Sequence, residues 1–427
     1  NPKLSLDIKD VFLKLNLSKK IIKINTRNTK IYIDKEAIDI LNLNINIGLI
    51  EFLKNEKSIK NIEIISKENS IKNVTNFLNS FKKLNYKKET DLYIGFFGYE
   101  ILNNLLGLKI KKQKKIKFYK GVFYKPETII KIRKKISITS NIKSNKFNSF
   151  FQSTKILSPF KLNIDFKKYK KIFDTFSKKI RSGETYQIKI CTKYKNKSQI
   201  NPVNFFWKLM KTNASPESFM IRDKNYSIVS CSPETLISKK GKKIITKPIA
   251  GTLKKNKFTN KYMALKFFKN NIKETKEHNM IVDMERNDLS RICKPGTVKI
   301  KKEKYVEEYR HLYHYVTSVE GRLNNNCKIK DIITSMMPGG SVIGCPKIRT
   351  LELLNQQEKE DRNIFTGSFG YIKFNQDMRF NIIIRSILNY KNFSEISAAS
   401  GVVLDSAARK EFNENYIKAK SLLELYK

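Results

Sequence analysis

Acidic residues are scarce in this 427-residue sequence: 39 Asp and Glu stand against 86 Lys and Arg, a formal net charge of +47. The excess invites a nucleic-acid reading. The lysines are spread along the whole chain with Asn and Ile, however, and no basic element carries interleaved aromatics. That dispersal argues against a specific nucleic-acid binder. The charge is expected instead to draw in an anionic substrate. Cysteine is also rare. Cys191, Cys231, Cys293, Cys327 and Cys345 form no CxxC pair, which excludes a zinc site or disulfide framework and fits a reducing, cytoplasmic setting. No run approaches ~18 apolar residues without a charge, so no membrane span is expected. The opening NPKLSLDIKDVF has no basic-then-apolar signal pattern and no initiator Met, so residues are expected to be missing before it.

Nucleophile motifs are absent as well. No GxSxG occurs; Ser218, Ser232 and Ser341 have no evident base, and Cys231 lacks the surroundings of a catalytic thiol. The chain is therefore not expected to hydrolyse glutamine itself. The loop GGSVIGCPK is not a phosphate loop, because Cys345 and Pro346 stand where Lys-Ser/Thr would follow and Pro346 removes a backbone donor. It offers a turn, the Ser341 hydroxyl, Lys347 at a helix start, and N–H groups that can hold a carboxylate. A purely structural turn is the plain alternative.

What is present supports a large core, in one domain or two, from a 40% hydrophobic composition. IKINTRNTKIYI predicts a hairpin and VTNFLNSFKKL a helix. In DLYIGFFGYEILNNLLG, Gly95 and Gly98 interrupt a strand-like run and predict close backbone approach. Residues 116–140 read as strands. Residues 141–160 lose periodicity and read as a linker, which divides the chain into 1–150 and 160–427. Beyond it, YKKIFDTFSKKIRSGE predicts a helix ending at Gly183. TYQIKICTKY predicts a strand with Tyr186, Ile188 and Ile190 on one face, Gln187 and Lys189 on the other. PVNFFWKLMKTN reads as a helix with Trp207 in the core. Consecutive strands follow through PIAGT, then a long helix around Glu277. YVEEYRHLYHYVTSV reads as helix, and DIITSMM and IRTLELLNQQEK as helices flanking the glycine loop. TGSFGYIKF and MRFNIIIRSILNY predict a hairpin, EISAASGVVLDS a strand, and ARKEFNENYIKAKSLLELYK a closing helix. Strands and helices interspersed without βαβ alternation predict an α+β fold.

Several residues carry chemistry. Glu274 and Glu277, and Glu411 and Glu414, are two ExxE pairs, each sharing a helix face. In an acid-poor chain they suggest a hard-cation site, against the alternative of two solvated faces. His311 and His314 are packed and hydrogen-bonded by default, and an acid–base role needs a reacting group within reach. Arg385, inside the apolar NIIIRSIL, calls for an anion: Asp405 or a ligand carboxylate. Glu234 follows a strand in SCSPET, where a turn could expose it.

YQIKI, SCSPETL, KPIAGT, KEHNMIVDMERNDLSR, YRHLYHYVTSVEGRL, PGGSVIGCPK, GSFGY, NIIIRS and SGVVLDS with EFNENYIKAK occur in this order. Together they resemble the chorismate-utilising enzymes: anthranilate synthase component I, aminodeoxychorismate synthase component I, and the isochorismate and salicylate synthases. The resemblance covers about 165–427 and only GFFGYE before that. It implies layered antiparallel sheets with flanking helices. It implies Mg²⁺ held by Glu277 and Glu414, with Glu274 and Glu411 completing the cluster. Arg385 and Tyr371 would grip the enolpyruvyl carboxylate, and Gly401 would offer backbone donors. Thr252, Ser341 and the loop lysine Lys347 would contact substrate. Glu234 matches the family's general acid and His314 a histidine near the leaving groups. Gln187 stands where isochorismate and salicylate synthases carry a water-activating lysine, which points to ammonia as nucleophile; Lys189 shares its strand face.

Within the family, Gly340-Ser341, DMERNDLSRIC and EFNENYIKAK are most similar to aminodeoxychorismate synthase. Ala250 in PIAGT is instead as in anthranilate synthases; many aminodeoxychorismate synthases carry there a lysine thought to add to the ring. Ala399 replaces a glycine usual in the AGAG turn. ASPESF in place of PSPYM, with no LLES, implies no tryptophan feedback. The expectation is Mg²⁺-dependent amination of chorismate to 4-amino-4-deoxychorismate on the folate route. Ammonia would come from a separate glutamine amidotransferase subunit. Anthranilate synthase component I is the alternative.

Overall fold

In the computed structural model, described residues are 62–108, 118–132 and 154–427 apart from 214, 224, 257, 310 and 311, plus strands at 22–26, 29–33 and 136–140. Two large sheets organise them. The first runs, by neighbouring strands, Ile22–Thr26, Thr29–Ile33, Ile136–Ser140, Gly121–Ile132, Leu92–Phe97, Ser368–Lys373, Met378–Asn381, Thr235–Lys240, Lys243–Thr246, Leu312–Arg322, Ile249–Lys254. Lys299–Glu308 also pairs with Leu312–Arg322, and Ile62–Ile71 with Gly121–Ile132. The second runs Glu217–Arg222, Tyr226–Ser232, Ser386–Tyr390, Phe393–Val402, Gln187–Gln199, Gly344–Cys345. The pairings are antiparallel except Ile31 with Ile136. This is the expected α+β class, and among the described residues no helix is long and apolar enough to cross a membrane.

The sheets meet through a shared apolar layer. Phe96, Val122 and Tyr124 of the first pack with Phe219, Ile221, Ile228 and Leu388 of the second, and the Phe219 and Phe369 rings stack at 3.8 Å. Helices Pro202–Asn213 and Ala408–Leu423 cover the second sheet's outer face, burying Phe205, Leu209, Ala419 and Leu422 against Val229, Ile387 and Ile396. Both faces of Tyr226–Ser232 are therefore buried. Burying the larger of these side chains contributes roughly 1.5–3 kcal/mol each. Trp207 packs against this layer as expected.

Local signals explain the elements that position the site. Helix Phe166–Arg181 starts at Asp165, whose carboxylate accepts from Lys168 N at 2.8 Å. It buries Tyr169, Phe173, Phe176 and Ile180 at three-to-four spacing and stops before Gly183 at φ +76°. Asn271 ends helix Lys261–Asn270 and caps helix Ile272–Ser290 by accepting from Glu274 N at 3.2 Å. Gly95 does not interrupt its strand. It lies between Phe123 and Gly370, where a Cβ would fall 2.0 Å from the Val122 carbonyl, so the expected close approach is real.

Two elements differ from expectation. YVEEYRHLYHYVTSV is no helix: Lys299–Glu308 and Leu312–Arg322 form an antiparallel pair, with Glu307 opposite His314. His311 lies outside the described residues. MRFNIIIRSILNY is not one strand but leaves the first sheet after Asn381 and enters the second at Ser386. Arg385 sits at that crossing with φ +53°. Strands on either side of the expected 1–150 boundary share one sheet, since Leu92–Phe97 pairs with Ser368–Lys373. Of the expected linker, 141–153 lies outside the described residues.

Candidate active site

The site grows from two chain crossings lying side by side. One runs from Ser232 to Thr235, from the second sheet to the first; the other runs from Asn381 to Ser386 in the opposite sense. Ser232 Oγ donates to the Ile382 carbonyl at 2.5 Å, and Ile382 N to the Glu234 carbonyl at 3.0 Å. Glu234 and Arg385 are thereby fixed on neighbouring crossings. Glu234 is 5% exposed, not presented on an open turn. Its Oε1 accepts from Ser341 Oγ at 2.8 Å and Ile249 N at 3.4 Å. Burial pushes its carboxyl up to about 7, against the pull of those donors and of the Lys189 and Arg385 charges. It can hold a proton near neutrality and release it on modest perturbation.

Arg385 is half-buried and makes no ion pair among the described residues; Asp405 is exposed and does not serve it. Its charge acts on Glu234, His314 and the Cys231 thiol. His314 faces Thr252 across the strand pair, with Thr252 Oγ1 and His314 Nδ1 3.1 Å apart. Its Nε2 is buried without a hydrogen-bond partner. Burial, then the Arg385 charge, lowers it to about 4, so it is a neutral imidazole at pH 7. Cys231 is buried and its thiol pushed up to about 11, which makes it a poor nucleophile.

A second group lies on strand Gln187–Gln199. Alternation puts Gln187 and Lys189 on one face, while Ile188 and Ile190 enter the core and Tyr186 stays exposed. Gln187 Nε2 and Lys189 Nζ both donate to Glu277 Oε1, at 2.9 and 3.1 Å. The Lys189 charge is the main reason Glu277 falls to about 2. Gly401 stands opposite Lys189, and a Cβ there would lie 2.6 Å from Lys189 Nζ and 2.7 Å from Gln187 Nε2. Gln187 Oε1 is a buried acceptor with no partner. From the closing helix, Glu414 pairs with Lys418 at 2.6 Å, while Glu411 is 3% exposed and accepts from Ser406 Oγ at 3.0 Å. Lys189 feels Glu277, Glu414 and Glu411, and Lys418 feels Glu414 and Glu277. Acids of two helices thus converge on two lysines. Glu274, one turn before Glu277, has Oε2 3.0 Å from where a Gly251 Cβ would stand. Among the described residues no three acidic, histidine or cysteine side chains form a closed metal cage. The donors nonetheless fit a hard divalent ion in kind: carboxylate oxygens plus the orphaned Gln187 oxygen.

Two expected substrate contacts have partners inside the protein. Lys347 is buried, with Nζ 2.5 Å from Asp288 Oδ2 and donating to the Ser335 carbonyl at 2.8 Å. Its charge is matched internally. Tyr371 is cross-strand from Arg379, whose guanidinium is held by Glu217. Sequence reasoning missed the buried Glu285 and Asp288 in MERNDLSR; burial raises both carboxyls, Glu285 to about 8. It also missed Lys418, although the Glu414–Lys418 spacing was a usable signal.

Neighbouring sheet crossings fix a buried acid near an arginine that makes no ion pair among the described residues, with acidic helix residues close by. The chain belongs to the chorismate binding enzyme family, whose model matches residues 47–424. It is 36% identical over 241 residues to aminodeoxychorismate synthase component 1 of Bacillus subtilis, covering 56% of this chain and 51% of the relative. It is 34% identical over 250 residues to an anthranilate synthase component 1 of Haloarcula marismortui, covering 58% and 51%. An anthranilate synthase component I-like protein of Synechocystis sp. is 31% identical over 349 residues, covering 78% and 72%. The chain spans about half the length of the first two relatives. The crystal structure of anthranilate synthase component I from Streptococcus pneumoniae superposes with TM-score 0.74 at 26% identity, over 86% of this chain and 93% of that one. The isochorismate synthase MenF of Escherichia coli shares the fold, with TM-score 0.66 at 15% identity, over 99% and 100%.

Proposed function

We propose that the chain is an aminodeoxychorismate synthase component I, replacing the C4 hydroxyl of chorismate with ammonia supplied by a separate glutamine amidotransferase. The observation that carries this reading is Glu234: a buried carboxyl held near neutrality, hydrogen-bonded to Ser341 and near an arginine with no ion-pair partner among the described residues. Chorismate is a dianion that must lose a hydroxyl, and hydroxide leaves poorly unless protonated. In this reading Arg385 takes one substrate carboxylate, Glu234 delivers a proton to the departing oxygen, and neutral His314 with Thr252 orients the groups around it. Glu277 and Glu414 would hold a Mg²⁺ ion, with Glu274 and Glu411 beside them. That ion, when bound, would supply positive charge for the ring carboxylate. Gln187 is no base, which favours ammonia over activated water.

A second reading, anthranilate synthase component I, is favoured by Ala250. It is buried at 5% exposure and brings a methyl group rather than an amine into the PIAGT strand. The test is product identification after incubation with chorismate, Mg²⁺ and excess ammonium near neutral pH. 4-Amino-4-deoxychorismate is expected. Fluorescent anthranilate with equimolar pyruvate would replace the first reading by the second.

A further inference from the structure

Lys189 already engages the Glu277 carboxylate that the metal reading assigns to an ion. Its Nζ lies 3.1 Å from Glu277 Oε1, the oxygen that also accepts from Gln187. A divalent ion with short oxygen distances requires that same carboxylate, and a fixed ammonium beside it repels the ion. The arrangement is built in. Strand alternation aims Lys189 at Glu277, the bare Cα of Gly401 makes room for its tip, and the buried Arg362 guanidinium holds the Lys189 carbonyl at 3.1 Å. The Lys189 side chain is 9% exposed, so it cannot simply swing into water. Lys418, which neutralises Glu414, is 37% exposed and can.

Resting on the metal reading above, we propose that Lys189 is an internal counter-cation competing with the divalent ion for Glu277, so that metal enters only as Lys189 gives up that carboxylate. Lys189 is then a positioning residue that sets metal affinity. The free protein holds Mg²⁺ weakly, because each binding event displaces a resident charge.

Calorimetric titration of the substrate-free chain with Mg²⁺ tests this, comparing wild type, Lys189→Met and Lys418→Met. Binding about ten-fold tighter in Lys189→Met is expected, with less than about three-fold change in Lys418→Met, where solvent screens the charge. Added Mg²⁺ should likewise raise the melting temperature more in Lys189→Met than in wild type. A purely structural lysine would give unchanged or weaker binding on removal. That result, or an equal gain in both variants, overturns the proposal. If wild type binds Mg²⁺ and Lys189→Met behaves identically, only this inference fails; if no form binds Mg²⁺, the metal reading fails with it. Lys189→Gln, which keeps a polar tip against Glu277, substitutes should the Met variant not fold.

Discussion

Glu234 shows how far residue-level reading reaches. SCSPET marked it as a carboxylate after a strand, but not that a second crossing, 382–385, would bury it. Burial decides its chemistry, because a carboxyl raised to about 7 is an acid at neutral pH whereas a solvated one is not. The protonated form is the working one, so kcat/KM should fall as pH rises through about 7, with free ammonia held constant. Ser341 donates to the anion and lowers the pKa. Ser341→Ala should therefore move the falling limb to higher pH; a limb that stays put, or moves down, contradicts the assignment. Arg385 gives a cleaner contrast. It has no ion-pair partner among the described residues, so Arg385→Gln removes no internal bridge. The melting temperature should hold while KM for chorismate rises about 10- to 100-fold, the loss of a charged hydrogen bond. Destabilisation with KM unchanged would make Arg385 structural.

At the scale of elements, patterning was legible where one face met solvent and less reliable where both faces were covered. Helix Phe166–Arg181 announced itself by spacing and glycine stop. Strand Leu312–Arg322 did not: residues 313–319 are all buried between neighbouring strands, so no alternation survives. Its hairpin closes through Tyr309 N to the Leu312 carbonyl at 2.9 Å, with no Gly or Pro to mark it. NIIIRSIL likewise reads as one apolar run although it crosses between sheets, and the break falls on a non-glycine residue at φ +53°. The glycine loop carries an element-scale prediction. Lys347 locks helix Lys347–Gln357 to Asp288 on helix Ile272–Ser290, with both side chains 2% exposed. Lys347→Met leaves Asp288 buried and uncompensated, which should cost about 3–5 kcal/mol in denaturant unfolding. Unchanged stability with a raised KM would show that Lys347 serves the substrate instead. Gly95→Ala, forcing a Cβ against the Val122 carbonyl, should cost about 2–3 kcal/mol by the same measurement.

For the whole molecule, the two-sheet architecture explains why the site draws on residues as far apart in sequence as Gln187, Glu234, Glu277, Arg385 and Glu414. Antiparallel strands that change sheets bring distant segments to one seam, and no local period records such a meeting. The resemblance of ordered motifs conveyed it where periodicity could not. The net charge of +47 is a different kind of global property, legible from composition alone. It sets a long-range field, not the fold, and a field acts on encounter more than on chemistry. If chorismate is the substrate, its dianion should be drawn in at low ionic strength. Salt shortens the reach of that attraction from about 10 Å at 0.1 M to about 3 Å at 1 M. KM should therefore climb steadily with added KCl while kcat, governed by groups already in contact, changes little. A kcat that collapses while KM stays level would place the salt sensitivity inside the site, in the Lys189–Glu277 and Lys418–Glu414 pairs, rather than in the field around it.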